Sequence, residues 1–96
     1  MGRSGSGSGA AVRDTDGRTY AAGPVELKAL SLTALQAAVA AAISSGAEGF
    51  EAAVVVGAPF HDAGVAAVRE ISEAGKIIFA DRHGAIYDTV GAEQTP

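Results

Sequence analysis

The chain has 96 residues, enough for one domain with a single modest core, and 48% of them are hydrophobic. Its formal charge of −4 argues against binding to a nucleic-acid duplex, because such binding relies on lysine and arginine to neutralise phosphates. The chain has no cysteine, no signal-peptide pattern after Met1 and no apolar run near the roughly 20 residues that span a bilayer, so we expect a cytoplasmic protein without a membrane segment.

The N-terminal part of the sequence predicts a flexible tail followed by a β-hairpin. Residues 1–9, MGRSGSGSG, have the glycine and serine content of a linker. Residues 10–13 and 18–22 are short and compatible with β-strands. Between them, residues 14–17 supply the aspartates and the glycine that tight turns use.

A loop and a helix start are predicted next. Gly23 and Pro24 interrupt the second strand, so residues 25–30 are expected to form a loop. Thr33 and Gln36 have the spacing of a capping box, in which each side chain bonds the backbone amide of the other residue. Ser31 is the alternative cap.

The first helix has a predicted buried face and a predicted end. Its larger apolar residues recur at three- and four-residue spacing, which places them on one face, and the intervening alanines leave the opposite side smooth. These larger residues are Leu32, Leu35, Val39 and Ile43. Gly46 suits the left-handed conformation that ends many helices.

The C-terminal half alternates between strands and a helix. Residues 50–56 are apolar at both alternating positions, which is typical of a central strand buried on both sides. Asp62 is the predicted N-cap of a second helix that ends near Gly75. Its buried stripe is Val65, Val68 and Ile71. Two strands follow, at 76–80 and 85–90, joined by a turn over 81–84.

The resulting order, β-β-α-β-α-β-β, predicts an α/β domain with a mixed five-stranded sheet and right-handed crossovers. We expect this single domain to occupy residues 10–90. Residues 1–9 and 91–96 are expected to be tails.

This order, together with three short segments, resembles the cytidine deaminase family. Residues 9–12 are similar to the first strand of that family, residues 17–20 to the start of the second, and residues 46–50 to the link into the third. The resemblance covers about residues 9–90. It implies a three-layer α/β/α fold and assembly as a homodimer or homotetramer.

The resemblance also implies a zinc site, and the residues at its positions cannot form one. The family holds zinc with a Cys or His at one helix start and two Cys at another, beside a Glu that moves protons. Here Thr33 stands at the first ligand position and Leu35 at the position of the Glu, while Ala63 and Ala66 replace the two Cys. We therefore assign no catalytic residue and no metal ligand, and we expect no cofactor. The chain is similar to short actinobacterial members that keep the scaffold and lose these groups.

Glu26 and Thr33 are the candidate ligand-binding residues. Residues 24–26 lie near the family's Asn-x-Glu segment, which binds the sugar of the nucleoside, and Glu26 matches its acid. A vestigial pocket would use such polar groups to orient a nucleoside-like ligand. The alternative is that Glu26 is an exposed loop acid.

The other polar candidates have structural explanations. His61 is expected to be solvated beside the cap Asp62, with a metal-ligand role as the alternative. His83 is expected at the surface of a turn. Asp14 and Asp16 are expected to bond their own backbone in the hairpin turn.

These observations predict a catalytically inactive cytidine deaminase-like protein that self-associates and acts by binding a protein or a nucleoside-like ligand. One alternative is an active cytidine deaminase or other hydrolase with a rearranged site around Glu26, Thr33 and His61. A second alternative is a structural subunit that completes the site of a partner enzyme.

Overall fold

The computed structural model describes residues 8–57, 63–72, 75–81, 83 and 85–90. The described strands and helices, in chain order, are β1 (Gly9–Asp14), β2 (Thr19–Ala22), β3 (Val25–Glu26), β4 (Ser31–Leu32), α1 (Ala34–Ser44), β5 (Phe50–Val56), α2 (Gly64–Ile71), β6 (Lys76–Ala80) and β7 (Ile86–Val90). The predicted tails, 1–9 and 91–96, lie almost wholly outside these residues. None of the described helices combines the length and hydrophobicity that a bilayer-spanning segment needs.

The main sheet is mixed, with the strand order β2-β1-β5-β6-β7. Strand β5 lies at its centre, which confirms the central position predicted for residues 50–56. It pairs in parallel with β6, through the crossover that contains α2, and antiparallel with β1. The mixed α/β class is therefore confirmed, and the predicted hairpin is present as the antiparallel pair β1–β2.

A second, two-stranded sheet corrects the loop predicted over residues 25–30. Strands β3 and β4 pair antiparallel, with Val25 opposite Leu32 and Glu26 opposite Ser31. Pro24 has no backbone N–H to donate, but the next two residues keep theirs and can pair with another strand. Ser31 lies in β4 and is not the helix cap. With this ribbon, the described residues contain two strands more than predicted.

The predicted burial of Leu35 and Val39 in helix α1 is confirmed, but three of the helix's alanines are buried as well, contrary to the predicted pattern. Its buried residues are Ala34, Leu35, Ala38, Val39 and Ala42. Ile43, which was predicted to be buried, is 41% exposed. The helix packs against β1, β2 and α2, and small side chains let its backbone approach them closely.

Helix α2 begins at Gly64, with Ala63 at the N-cap position and no side-chain hydrogen bond to the cap. The predicted cap, Asp62, lies outside the described residues. Of the predicted stripe, Val68 is fully buried and Ile71 is 40% exposed. The helix ends at Ile71, four residues before the predicted end near Gly75.

Both helices pack on one face of the main sheet. The residues of β1, β5 and β6 that point to this face form one core with the helices; they are Ala10, Val12, Ala53, Val55, Ile77 and Phe79. Their neighbours on the opposite face are half-buried, so the prediction that β5 is buried on both sides is wrong for the part of the chain described here. Of the three expected layers, the described residues form two, the helices and the sheet.

Candidate functional site

The first turns of the two helices meet, and a glycine permits their contact. Gly64 begins α2 and lies against Leu35 and Gln36 in the first turn of α1. A Cβ atom at Gly64 would stand 2.7 Å from the backbone nitrogen of Gln36 and 2.7 Å from Cβ and Cγ of Leu35. The resemblance places the family's zinc site at this junction. The donor atoms present at the junction therefore decide whether it can bind a metal.

The hydroxyl oxygen of Thr33 serves as a helix cap at this junction. It accepts a hydrogen bond from the Gln36 backbone N–H at 3.1 Å. In return, the Thr33 backbone N–H donates to Oε1 of Gln36 at 2.9 Å. This confirms the predicted capping box, and it means that the hydroxyl oxygen already serves a structural bond.

The family's other site positions at the junction, as far as the structure describes them, carry apolar residues. Leu35 is fully buried, while Ala63 and Ala66 are exposed and offer only methyl groups. Zinc needs three or four nitrogen, sulfur or oxygen ligands at fixed distances. The described residues contain no group of three His, Cys, Asp or Glu side chains that could hold a metal. The donor atoms that the described residues bring to the junction therefore do not fit the zinc ion that the resemblance implies.

The two predicted ligand-binding residues, Glu26 and Thr33, lie in one continuous segment, which runs from β3 through β4 to the start of α1. Glu26 pairs with Ser31 in the β3–β4 ribbon, and Thr33 directly follows β4. The ribbon therefore brings Glu26 close to the start of α1, although seven residues separate it from Thr33 along the chain. Glu26 itself is exposed to solvent, as in the alternative predicted for it.

The histidines do not add to this junction in the part of the chain that is described. His61 lies outside the described residues, together with Asp62. His83 is exposed in the predicted turn. Its backbone N–H donates to Oδ1 of Asp81 at 2.8 Å, and the Ala85 N–H donates to the same oxygen at 2.9 Å. The aspartate of this turn therefore bonds the backbone, as turn aspartates commonly do.

Asp14 is a buried carboxylate whose burial the sequence analysis missed. Its Oδ1 accepts from the backbone N–H of Asp16 at 2.9 Å and of Arg18 at 2.8 Å, and its Oδ2 accepts from the Tyr20 hydroxyl at 3.1 Å. Burial alone raises the pKa of Asp14, but these hydrogen bonds and the Arg18 charge outweigh it and hold the pKa below its usual value. The alternation Ala10, Val12, Asp14 along β1 was the signal that placed it inward.

A shallow apolar cavity lies on the sheet, away from the helix junction. It has a volume of about 450 Å³, and none of the described residues that line it is ionisable; these are Gly9, Ala10, Ala11, Ala21, Ala22, Gly23, Val54 and Val56. A smaller depression of about 150 Å³ adjoins it between β1 and β5. With no acid or base among its described lining residues, the larger cavity is suited to apolar contact and not to proton transfer.

The family comparison matches most of the chain. A family model described as "Cytidine deaminase-like" matches residues 1–84. A comparison with curated protein sequences finds no match.

Solved structures of cytidine deaminases share the fold. The protein from Burkholderia pseudomallei has a TM-score of 0.75 at 21% identity, with 88% of this chain and 73% of that chain covered. The protein from Mycobacterium leprae has a TM-score of 0.65 at 20% identity, with coverage of 93% and 77%. A point variant of the protein from Mycobacterium tuberculosis has a TM-score of 0.62 at 24% identity, with coverage of 75% and 64%. The chain thus spans less than two thirds of the last protein, and at these identities the similarity concerns the fold alone.

Proposed function

Because this chain belongs to the cytidine deaminase-like family, we propose that it is a catalytically inactive member that self-associates and acts by binding a protein or a nucleoside-like ligand. The observation that carries the proposal is the contact between Gly64 and Leu35. Zinc deaminases need a metal-activated water and a Glu that relays its proton. Leu35 can do neither, and it fills the place where the resemblance puts that Glu.

Exposed hydrophobic side chains support a binding role. Among the described residues, five large ones are at least 40% exposed: Leu27, Leu30, Ile43, Ile71 and Ile86. Scattered apolar residues are normal at a surface, but Leu27 and Leu30 lie in the turn of one ribbon. A protein of this size gains stability when a second molecule covers such groups.

The nucleoside-like ligand is assigned to the ribbon that leads into α1. The exposed carboxylate of Glu26 can accept hydrogen bonds from the hydroxyl groups of a sugar. A calorimetric titration with uridine tests this assignment, because uridine carries the sugar and cannot be deaminated. We expect Glu26→Gln to weaken uridine binding about tenfold. The control is Glu48→Gln, which changes another exposed acid.

Metal content and turnover decide between a binding protein and an enzyme. The purified chain is incubated with zinc, dialysed and analysed by mass spectrometry, and cytidine conversion is followed by absorbance. We expect substoichiometric zinc and no turnover, with the Burkholderia pseudomallei cytidine deaminase as the positive control. One zinc per chain with turnover would overturn the proposal in favour of an active hydrolase with a rearranged site. Uridine binding without turnover would argue against a purely structural subunit.

A further inference from the structure

The face of the main sheet that points away from the helices carries a continuous apolar surface. In the strand register, Ala11 lies opposite Ala21 on one side and Val54 on the other, and Val54 lies opposite Ile78. We call the surface formed by these residues with Ala52 and Val56 the open face. Its members are half-buried or, for Ala21, exposed. The two shallow cavities described above both lie on it.

The open face has the shape of a sheet that packs on another sheet. Its side chains are alanines or the β-branched valine and isoleucine, so they present a nearly level surface. Two such faces pack about 10 Å apart with their side chains in contact. Water is excluded from apolar surface on both sides of such a contact, which supplies the driving force.

The segments that flank the described residues are poorly suited to cover the open face. Residues 1–7 and 91–96 contain no branched aliphatic and no aromatic side chain. An apolar sheet face needs apolar side chains against it, and these segments are mainly glycine and polar residues. The occupant proposed below is a second copy of the chain.

The charges at the rim of the open face are self-complementary. Nε of Arg13 lies 3.3 Å from Oε1 of Glu51, and the two side chains are 59% and 50% exposed. Lys76 lies on the same face, in register with Ala52. The rim therefore carries both signs of charge, although the chain as a whole has a net charge of −4. A second copy that approaches the open face therefore does not meet a rim with charges of only one sign.

We propose that the open face is the interface between two copies of this chain; this inference rests on the self-association in the proposed function and assigns it a surface. Strands β1 and β5 are neighbours, so a twofold axis parallel to them can run between them. Such an axis puts Ala11 and Val54 at the centre of the contact. It also places Arg13 of each copy over Glu51 of the partner subunit.

The size of the open face sets the strength of the contact. By standard strand spacings, the four strands that carry the open face measure roughly 19 Å across and five residues roughly 17 Å along, or about 320 Å² per copy. Stable interfaces bury about 800 Å² per partner. The dimer is therefore reversible, and its population depends on protein concentration.

Charge exchange at the rim tests the interface. Sedimentation velocity on the full chain, over a wide concentration range, measures the dimer constant of the wild type and of Arg13→Glu and Glu51→Arg. Each substitution puts like charges opposite each other twice per dimer, so each variant alone is expected to dimerise about tenfold more weakly. An equimolar mixture of the two variants restores opposite charges across the interface. We expect this mixture to form heterodimers with near wild-type affinity.

Ala40→Glu, on the exposed side of α1, is the matched control and is expected to leave dimerisation unchanged. Circular dichroism verifies that each variant is folded. Dimerisation that resists both charge variants but is lost in Ala40→Glu would move the interface to the helix surface, which overturns this inference and leaves self-association intact. A wild type that stays monomeric at every concentration overturns the interface and the self-association together. The proposed lack of catalysis is judged separately, by zinc content and turnover.

Discussion

Gly64 of α2 rests on the side chain of Leu35 in α1, with room for a hydrogen atom between them but not for a methyl group. The contact fixes how closely the two helices approach each other at their N-terminal ends. It also connects α1 to α2, the helix in the crossover between the parallel strands β5 and β6.

Gly64→Ala is predicted to destabilise the protein by about 1–3 kcal/mol, because the added methyl group overpacks a buried contact. Urea unfolding measures the change. Gly75→Ala is the control: a Cβ atom at that buried glycine would stand 3.3 Å from its nearest neighbour, the carbonyl oxygen of Phe50, so the loss should be smaller. Combining Gly64→Ala with Leu35→Ala should cost less than the sum of the single changes. Additive losses would mean that the two residues do not share one space.

Thr33→Ala is predicted to cost about 1 kcal/mol, because the N-terminal amides of α1 lose the hydroxyl that accepts from Gln36. Thermal or urea unfolding tests this. Thr33→Ser keeps the hydroxyl and should retain most of the stability. If the serine variant loses as much as the alanine variant, the methyl group and not the cap is the important part of Thr33.

Protonation of Asp14 is predicted to destabilise the fold in acid. The pKa of Asp14 is lowered in the folded protein from its ordinary value of 3.8, so its contribution is complete above that pH. The contribution is lost as the pH falls through the lower pKa of the folded state. The stability difference between the wild type and Asp14→Asn should therefore be constant above about pH 5 and shrink in stronger acid.

Unfolding in urea at several pH values measures this difference. Asp16→Asn, in the same turn but exposed, controls for the removal of a turn carboxylate. A difference between wild type and Asp14→Asn that stays the same down to the lowest pH would contradict the lowered pKa of Asp14.

Enlarging Ala38 is predicted to be far more harmful than enlarging Ala40. Ala38 is completely buried against the sheet, so Ala38→Leu should cost about 1–3 kcal/mol. Ala40, two residues along the same helix, is exposed, and Ala40→Leu should change the stability by less than about 0.5 kcal/mol. If both substitutions shift the unfolding midpoint equally, the result would instead support the helix face expected from the sequence, in which the alanines lie on the side away from the core.

This contrast shows which parts of the fold local sequence signals can predict. The cap Thr33, the turn after β1 and the continuous apolar run of β5 depend on neighbouring residues, and all three were predictable. The burial of Ala34, Ala38 and Ala42 in α1 was not predictable, because alanine fits an exposed surface and a close helix–sheet contact equally well. Its burial depends on the distance between α1 and the sheet, which the sequence does not show.

The candidate site was predictable in its composition but not in its geometry. The positions of Thr33, Leu35 and the two alanines came from the resemblance, whereas the direct contact of Gly64 with Leu35 needed the fold. The pairing of Glu26 with Ser31 was missed because each strand of that ribbon has only two residues. Strands this short have no periodic pattern to detect.

The central position of β5 has a consequence for how the chain unfolds. One neighbour of this strand, β1, comes from the N-terminal half of the chain and the other, β6, from the C-terminal half. A cut before Phe50 would leave one fragment with α1 and no central strand, and the other with the central strand and no α1. Neither fragment can assemble the core by itself, so the two halves should melt together in one cooperative transition, and mixing them should be required to recover the fold.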